Sequence, residues 1–167
     1  MQVALERGCE VPFKRVARLA TDEATSIDVV IDALQRCPGY DWIVLLQPTS
    51  PLRQPGDIDE AMRCCLALGA PACVSVCAAE QSPYWMFNLR NGDRLHPLLP
   101  SPEAARRQEL PPAYVLNGAV YVARTTWLMN TRSFFGPDTV AYVMPVERSI
   151  DIDTETDLSR LATLIGN

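Results

Sequence analysis

The segment Ser149-Ile150-Asp151-Ile152-Asp153 alternates apolar and acidic residues. If it is extended, Ile150 and Ile152 face one side while Asp151 and Asp153 face the other. Two carboxylates on one face suit a hard cation such as Mg²⁺, which binds one or two carboxylates together with waters and substrate phosphates. The same aspartates also suit the start of a helix, where capping and the helix dipole favour acidic groups. A second candidate is Gln47-Pro48-Thr49-Ser50-Pro51-Leu52-Arg53. Two prolines stiffen this loop, and Gln47, Thr49, Ser50 and Arg53 offer polar groups with little entropy left to lose. Arg106-Arg107-Gln108 presents a guanidinium fork suited to a carboxylate or phosphate, or else a solvated surface pair. Asn117, before Gly118, is either a reader of amides and hydroxyls or a turn residue. Phe134-Phe135 anchors a loop in the core or walls a pocket for a small methyl group, and His96 reads as a surface histidine.

These residues need a scaffold, and the hydrophobic pattern predicts one. Residues 1–7 read as the tail of a helix closed by Gly8, and Glu10 to Arg15 as a short extended run. Thr25 or Ser26 caps a helix to Arg36 with Ile27, Val30, Ile31 and Leu34 inward. Trp42 to Leu46 is a continuous apolar run, as expected of a strand covered on both faces. The Gln47 to Arg53 loop leaves its C-terminal end, where ligands bind in open α/β sheets. A helix over 57–68, with Ile58, Ala61, Met62, Cys65 and Leu66 inward, and a strand over 72–78 complete a βαβ unit. Residues 85–98 read as a hairpin turning at Asn91-Gly92-Asp93, followed by a proline-rich arm over 97–112. Strands over 119–123 and 140–144 flank a short helix near 126–130. Thr154 caps a last helix over 155–165 with Leu158, Leu161, Ala162 and Ile165 inward. The expected class is α/β, in a single domain over 1–167 with an insertion at 82–112.

Composition narrows the functions. With 167 residues, 48% of them hydrophobic, the chain can build a real core. A net charge of −5 argues against binding nucleic acid through bulk positive charge. No apolar run approaches a membrane span, and the first twenty residues lack the apolar stretch of a signal peptide. The six cysteines form no C-x-x-C pair and mostly lie in apolar runs, so buried thiols in a reducing cytoplasm are expected rather than a zinc site. Lys14 is the sole lysine among fifteen Lys and Arg residues, and neither G-x-G nor G-x-x-x-x-G-K occurs. The chain therefore has no recognisable phosphate cradle.

Taken together, several segments resemble the acylneuraminate cytidylyltransferase family. Leu45 to Arg53 looks like its signature loop. Arg106-Arg107-Gln108, Leu116 to Tyr121 and Ser149 to Thr154 match in order and spacing, and Gly8 to Phe13 resembles the segment after the family's second strand. The resemblance implies a three-layer nucleotidyltransferase fold: a Rossmann-like, mostly parallel sheet with a hairpin insertion that makes a homodimer. It implies transfer of CMP from CTP to a nine-carbon 2-keto sugar acid of the sialic, legionaminic or pseudaminic type, with release of pyrophosphate. By the same resemblance Asp151 and Asp153 would hold Mg²⁺ and Gln47 would hydrogen-bond the sugar. Arg107 and Gln108 would face its carboxylate and hydroxyls, with Arg107 reaching into the neighbouring subunit's site. Asn117 would read polar substituents, while Phe134 and Phe135 enclose an acyl methyl. Thr49, Ser50 and Arg53 belong to the same binding loop. Tyr84-Trp85 is similar to members that use legionaminic or pseudaminic acid.

The family opens with a strand and a Gly/Lys/Arg-rich loop that cradles CTP, and Met1 aligns beyond both. An N-terminally truncated form is therefore expected, keeping the sugar and metal side and leaving an apolar edge or groove open. A competing reading is a remnant that folds, dimerises and binds a sugar acid without turnover. A cytidylyltransferase for an eight-carbon acid is disfavoured by the Gln47 to Arg53 loop.

Overall fold

A computed structural model of the chain describes residues 1–100 and 106–166. The helices are α1 (Gln2–Glu6), α2 (Ser26–Arg36), α3 (Pro55–Leu68), α4 (Thr125–Thr131) and α5 (Glu155–Ile165). The strands are β1 (Trp42–Leu45), β2 (Ala72–Ala78), β3 (Phe87–Arg90), β4 (Arg94–Pro97), β5 (Tyr114–Arg124) and β6 (Thr139–Val143). Strands β3 and β4 form a separate antiparallel hairpin. The other four make the main sheet in the order β1-β5-β2-β6. β2 and β6 are parallel, and β5 runs antiparallel to both β1 and β2. Three strands thus share one direction, as the expected fold requires, with β5 reversed among them.

Alternation along β2 and β5 builds two cores. Ala72, Val74, Val76, Tyr121 and Ala123 pack with Val30, Leu34 and Leu128 from α2 and α4. Cys73, Val120 and Val122 pack with Ala61 and Cys65 of α3 on the opposite face. Period-two side chains on strands and helical stripes on both flanks produce three layers. The Cys73 thiol is pushed up to about 12 by burial and by its neighbours Cys65 and Cys64, so it is an inert core thiol. Cys9 is exposed, and Cys37 and Cys64 are half-buried; the apolar context of a cysteine overstated its burial at those positions.

Local chemistry sets the element boundaries. The Thr25 hydroxyl accepts from the Asp28 amide and caps α2. α3 starts two residues before the expected point because Pro55 fits the first helical position. At its other end Gly69 adopts the left-handed conformation, with φ +63°. Thr154 caps α5 as expected.

Several expectations need correction. β1 faces both cores but is only half-buried along its length, because it is an outer strand of the main sheet. Beside it lies an apolar groove of about 440 Å³ that includes Phe13, Leu34, Tyr40, Trp42 and Ile43. Residues 10–15 form no strand. Leu66, Leu158 and Ile165 are exposed, and on α5 only Leu161 is fully buried. The apolar stripe of α3 is therefore wider than the sheet face it covers, and α5 buries less of its stripe than its spacing suggests. β5 begins at Tyr114, five residues earlier than expected, since Asn117-Gly118 is not a turn. Between Val74 and Val76 the pairing jumps from Tyr121 to Leu116, which places an enlarged bulge in the middle of β5. Part of the 97–112 arm, residues 101–105, lies outside the described residues.

Candidate functional site

The bulge is the floor of the site. Gly118 has φ +69°, and a Cβ there would lie 2.6 Å from Gln47 Oε1, 2.8 Å from Ser50 Oγ and 3.2 Å from Asp151 Oδ2. Only a hydrogen on that face lets the three side chains meet over the backbone. The sequence segments containing Gln47, Gly118 and Asp151 thus come together at one point.

A hydrogen-bond network holds the bulge open. Asn117 is buried. Its Oδ1 accepts from Ser75 Oγ at 2.7 Å and the Ala119 amide at 3.3 Å. Its Nδ2 donates to Ser149 Oγ at 2.9 Å and Met144 Sδ at 3.2 Å. Ser75 Oγ also accepts from the Val120 amide at 2.7 Å, so the amides displaced by the bulge remain satisfied. Every donor and acceptor of the Asn117 side chain is engaged within the protein, and none is left to face a ligand.

The loop after β1 is equally fixed. Ser50 is fully buried and donates to the Asn117 carbonyl at 2.7 Å. Arg53 Nη1 donates to the carbonyls of Gln47, Ser50 and Ala119, pinning loop and bulge together. Burial lowers the Arg53 guanidinium below its ordinary value. Half-buried Thr49 accepts the Ile152 amide through its carbonyl at 2.9 Å and so docks the acidic segment against the loop. Ser50 and Arg53 therefore build the loop from beneath, leaving Gln47 as its presenting side chain.

Within the acidic segment the two aspartates differ. Asp151 Oδ1 is buried and has no hydrogen-bond partner among the described residues. Asp153 is exposed, and its amide binds Asp157 Oδ2. Strict two-faced alternation is absent, because Ile150, Asp151 and Ile152 are all half-buried. A second clamp precedes the segment. Asp57, the third residue of α3 and 2% exposed, accepts from Arg148 and from Tyr142 Oη at 2.9 Å. It also accepts the Gln54 amide at 2.7 Å. Burial opposes the charge on Asp57, but the bonds from Arg148, Gln54 and Tyr142 together hold its carboxyl below the usual range.

Next to Gln47 opens a cavity of about 270 Å³, walled by Ile27, Leu45, Tyr121, Phe134 and Phe135 with Arg132 at its margin. The Tyr121 and Phe134 rings meet at 5.5 Å and 60°, and Phe135 stands edge-on to Tyr121 at 6.4 Å. Phe134 is buried while Phe135 is half exposed. Burial, and then the charge of Asp151, pushes the Tyr121 phenol up, which ties the aromatic cavity to the acidic segment. A smaller recess of about 220 Å³ also borders Gln47 and includes Arg15 and Ser26. Tyr121, Arg132 and Arg15 were not singled out from the sequence. Tyr121 sits in an apolar strand run, and the two arginines carry no local motif. Gln108 is exposed in a 3-10 turn over Arg107–Glu109 and lines neither cavity. The side chain of Arg107 lies outside the described residues.

Among the described residues no group of three or more His, Cys, Asp or Glu side chains gathers to hold a metal, and no helix is long and apolar enough to cross a membrane. No family model matches the chain. It is 35% identical over 156 residues to an N-acylneuraminate cytidylyltransferase of Streptococcus agalactiae, covering 93% of this chain and 38% of that protein. It is 34% identical over 164 residues to a CMP-N,N'-diacetyllegionaminic acid synthase of Legionella pneumophila, covering 93% of this chain and 68% of the relative. A synthase of the same name from Campylobacter jejuni is 31% identical over 172 residues, covering 98% and 72%. The chain thus spans well under half of the streptococcal protein and about two thirds of the other two.

Proposed function

Because the chain belongs to the acylneuraminate cytidylyltransferase family, we propose that it forms the sugar-acid and metal side of an enzyme that transfers CMP from CTP to a nine-carbon 2-keto sugar acid and releases pyrophosphate. The observation that carries this reading is the meeting of Gln47, Ser50 and Asp151 over Gly118 beside an aromatic cavity. A buried carboxylate oxygen with no protein partner is costly unless a ligand meets it. Asp151 Oδ1, with Asp153 nearby in sequence, would hold Mg²⁺, a hard cation that takes one or two carboxylates together with water and phosphate. When bound, the ion neutralises triphosphate charge. Gln47 orients the sugar by hydrogen bonding, held in place by the Arg53-pinned loop. Tyr121, Phe134 and Phe135 exclude water around an acyl group. Arg107 and Gln108 meet the sugar carboxylate and hydroxyls from the partner subunit's side of a homodimer. Positioning of this kind is most of what phosphoryl-transfer catalysis requires.

The test is pyrophosphate release from CTP and Mg²⁺ with a panel of sialic, legionaminic and pseudaminic acids. Release that depends on one of these acids is expected. A folded protein that neither releases pyrophosphate with any of them nor binds any of them overturns the reading, whereas binding without release makes the chain the sugar-side remnant.

A further inference from the structure

Among the described residues Arg132 is the one arginine lining the aromatic cavity, and its setting is unusual. It ends α4 in the left-handed conformation, φ +50° and ψ +37°, with its amide donating to the Leu128 carbonyl at 2.8 Å. That position usually holds glycine, and a branched or long side chain there is strained. Its Nη2 donates to Asp28 Oδ1 at 2.5 Å, across 104 residues of sequence. Asp28 Oδ2 is in turn held by the Thr25 hydroxyl at 2.6 Å, so the carboxylate that orients Arg132 is itself oriented. Arg132 is 57% exposed and Asp28 40%, and exposed ion pairs return little stability. Backbone strain retained for so little stability points to a function for the side chain.

The same arginine lines a second space. A polar cleft of about 520 Å³, which includes Arg18, Thr21, Glu23 and Gln35, adjoins the aromatic cavity, and Arg132 belongs to both. A ligand whose reacting end lies at Gln47 and whose acyl group lies against Phe134 and Phe135 has its far end at Arg132. The guanidinium has donors beyond the one bound to Asp28 and no acceptor of its own. It therefore selects oxygen-rich groups and leaves an alkyl group unpaired.

Resting on the proposed function, we infer that Arg132 is a specificity-determining residue that binds the hydroxylated three-carbon side chain of the sugar acid, at the end opposite the reacting carbon. Asp28 is its positioning residue. The polar cleft receives whatever extends beyond.

The experiment compares N-acetylneuraminic acid with its analogue lacking the two terminal side-chain carbons, both titrated into the full chain and followed by NMR. Arg132→Gly removes the guanidinium while favouring the left-handed backbone, so it preserves the fold; Arg132→Lys keeps the charge. The wild type is expected to bind the intact acid about tenfold more tightly than the shortened one. Arg132→Gly removes that preference by weakening only the intact acid, and Arg132→Lys restores part of it. Equal weakening of both acids places the carboxylate, not the side chain, at Arg132 and overturns the inference. An unchanged preference overturns it too. A wild type that binds neither acid overturns this inference, while the proposed function is decided separately by the full panel of acids.

Discussion

At the scale of single residues, the site depends on one missing methyl group. Gly118→Ala places a carbon within 3 Å of Gln47 Oε1 and Ser50 Oγ, at a φ that alanine resists. Ser50 cannot retreat because it is bonded to the Asn117 carbonyl, so Gln47 must swing away. The expected result is a loss of about 1–3 kcal/mol in urea unfolding, together with loss of sugar-acid binding. An alanine variant that binds normally would show that Gln47 plays no part. Asp151→Asn tests the other side. In the CTP reaction it is expected to lose most activity while sugar-acid binding survives, because an amide is a poor ligand for a hard cation. Near-normal turnover would remove Asp151 from the metal site.

At this scale the sequence was most informative about membership and least about role. Gln47, Asp151, Phe134 and Phe135 stood out by motif and do gather in one place. Asn117 also stood out, yet its side chain is saturated by Ser75, Ala119, Ser149 and Met144. A motif records that a polar residue is needed. Whether its atoms face a ligand or the interior depends on strands far apart in the chain.

At the scale of elements, the position of the acidic segment is set by its neighbours. The Asp57–Arg148 pair and the Thr49–Ile152 backbone bond hold it from two sides. Asp57→Asn keeps the shape but leaves Arg148 without its counter-charge, at an expected cost of about 2 kcal/mol at pH 7. The Asp57 carboxyl lies below its ordinary value in the folded protein. Its contribution is therefore complete above the ordinary carboxylate value, about 4, and is lost as pH falls through the lowered folded value. Urea midpoints of wild type and variant should differ at neutral pH and converge as the pH falls below the ordinary carboxylate range. A gap independent of pH would mean that the charge contributes nothing.

The elements themselves were largely legible. The α2 and β2 boundaries agree with the hydrophobic pattern, and α5 with its threonine cap, since each is defined by local chemistry. The start of β5 was missed because Asn-Gly normally signals a turn. Here the pair sits inside a bulge whose amides are satisfied by side chains, a solution visible only in three dimensions.

At the scale of the whole molecule, the β3–β4 hairpin stands apart from the main sheet. Leu89 pairs with Leu95 and Phe87 with Pro97, so these residues share one face. Phe87, Leu89 and Leu95 are 49%, 67% and 64% exposed. An isolated two-stranded hairpin is marginally stable in water, and this apolar face calls for a partner. The expectation is a dimer by light scattering, reduced to monomer by Leu89→Asp with Leu95→Asp. A wild type that is monomeric at all concentrations would overturn the homodimer and the sharing of Arg107 between subunits.

The sheet order also has a consequence for synthesis. β5 is the inner neighbour of both β1 and β2, yet it follows them by tens of residues in the chain. On the ribosome β1 emerges well before its neighbour β5, and its edge facing β5 stays unpaired until Tyr121 to Arg124 appears. At about 5–20 residues per second, that leaves it waiting on the order of 4–15 seconds. During that interval the nascent chain presents a bare edge and two unfinished apolar faces. The yield of folded protein should therefore respond to translation speed and chaperone supply more than to the equilibrium stability of the finished molecule.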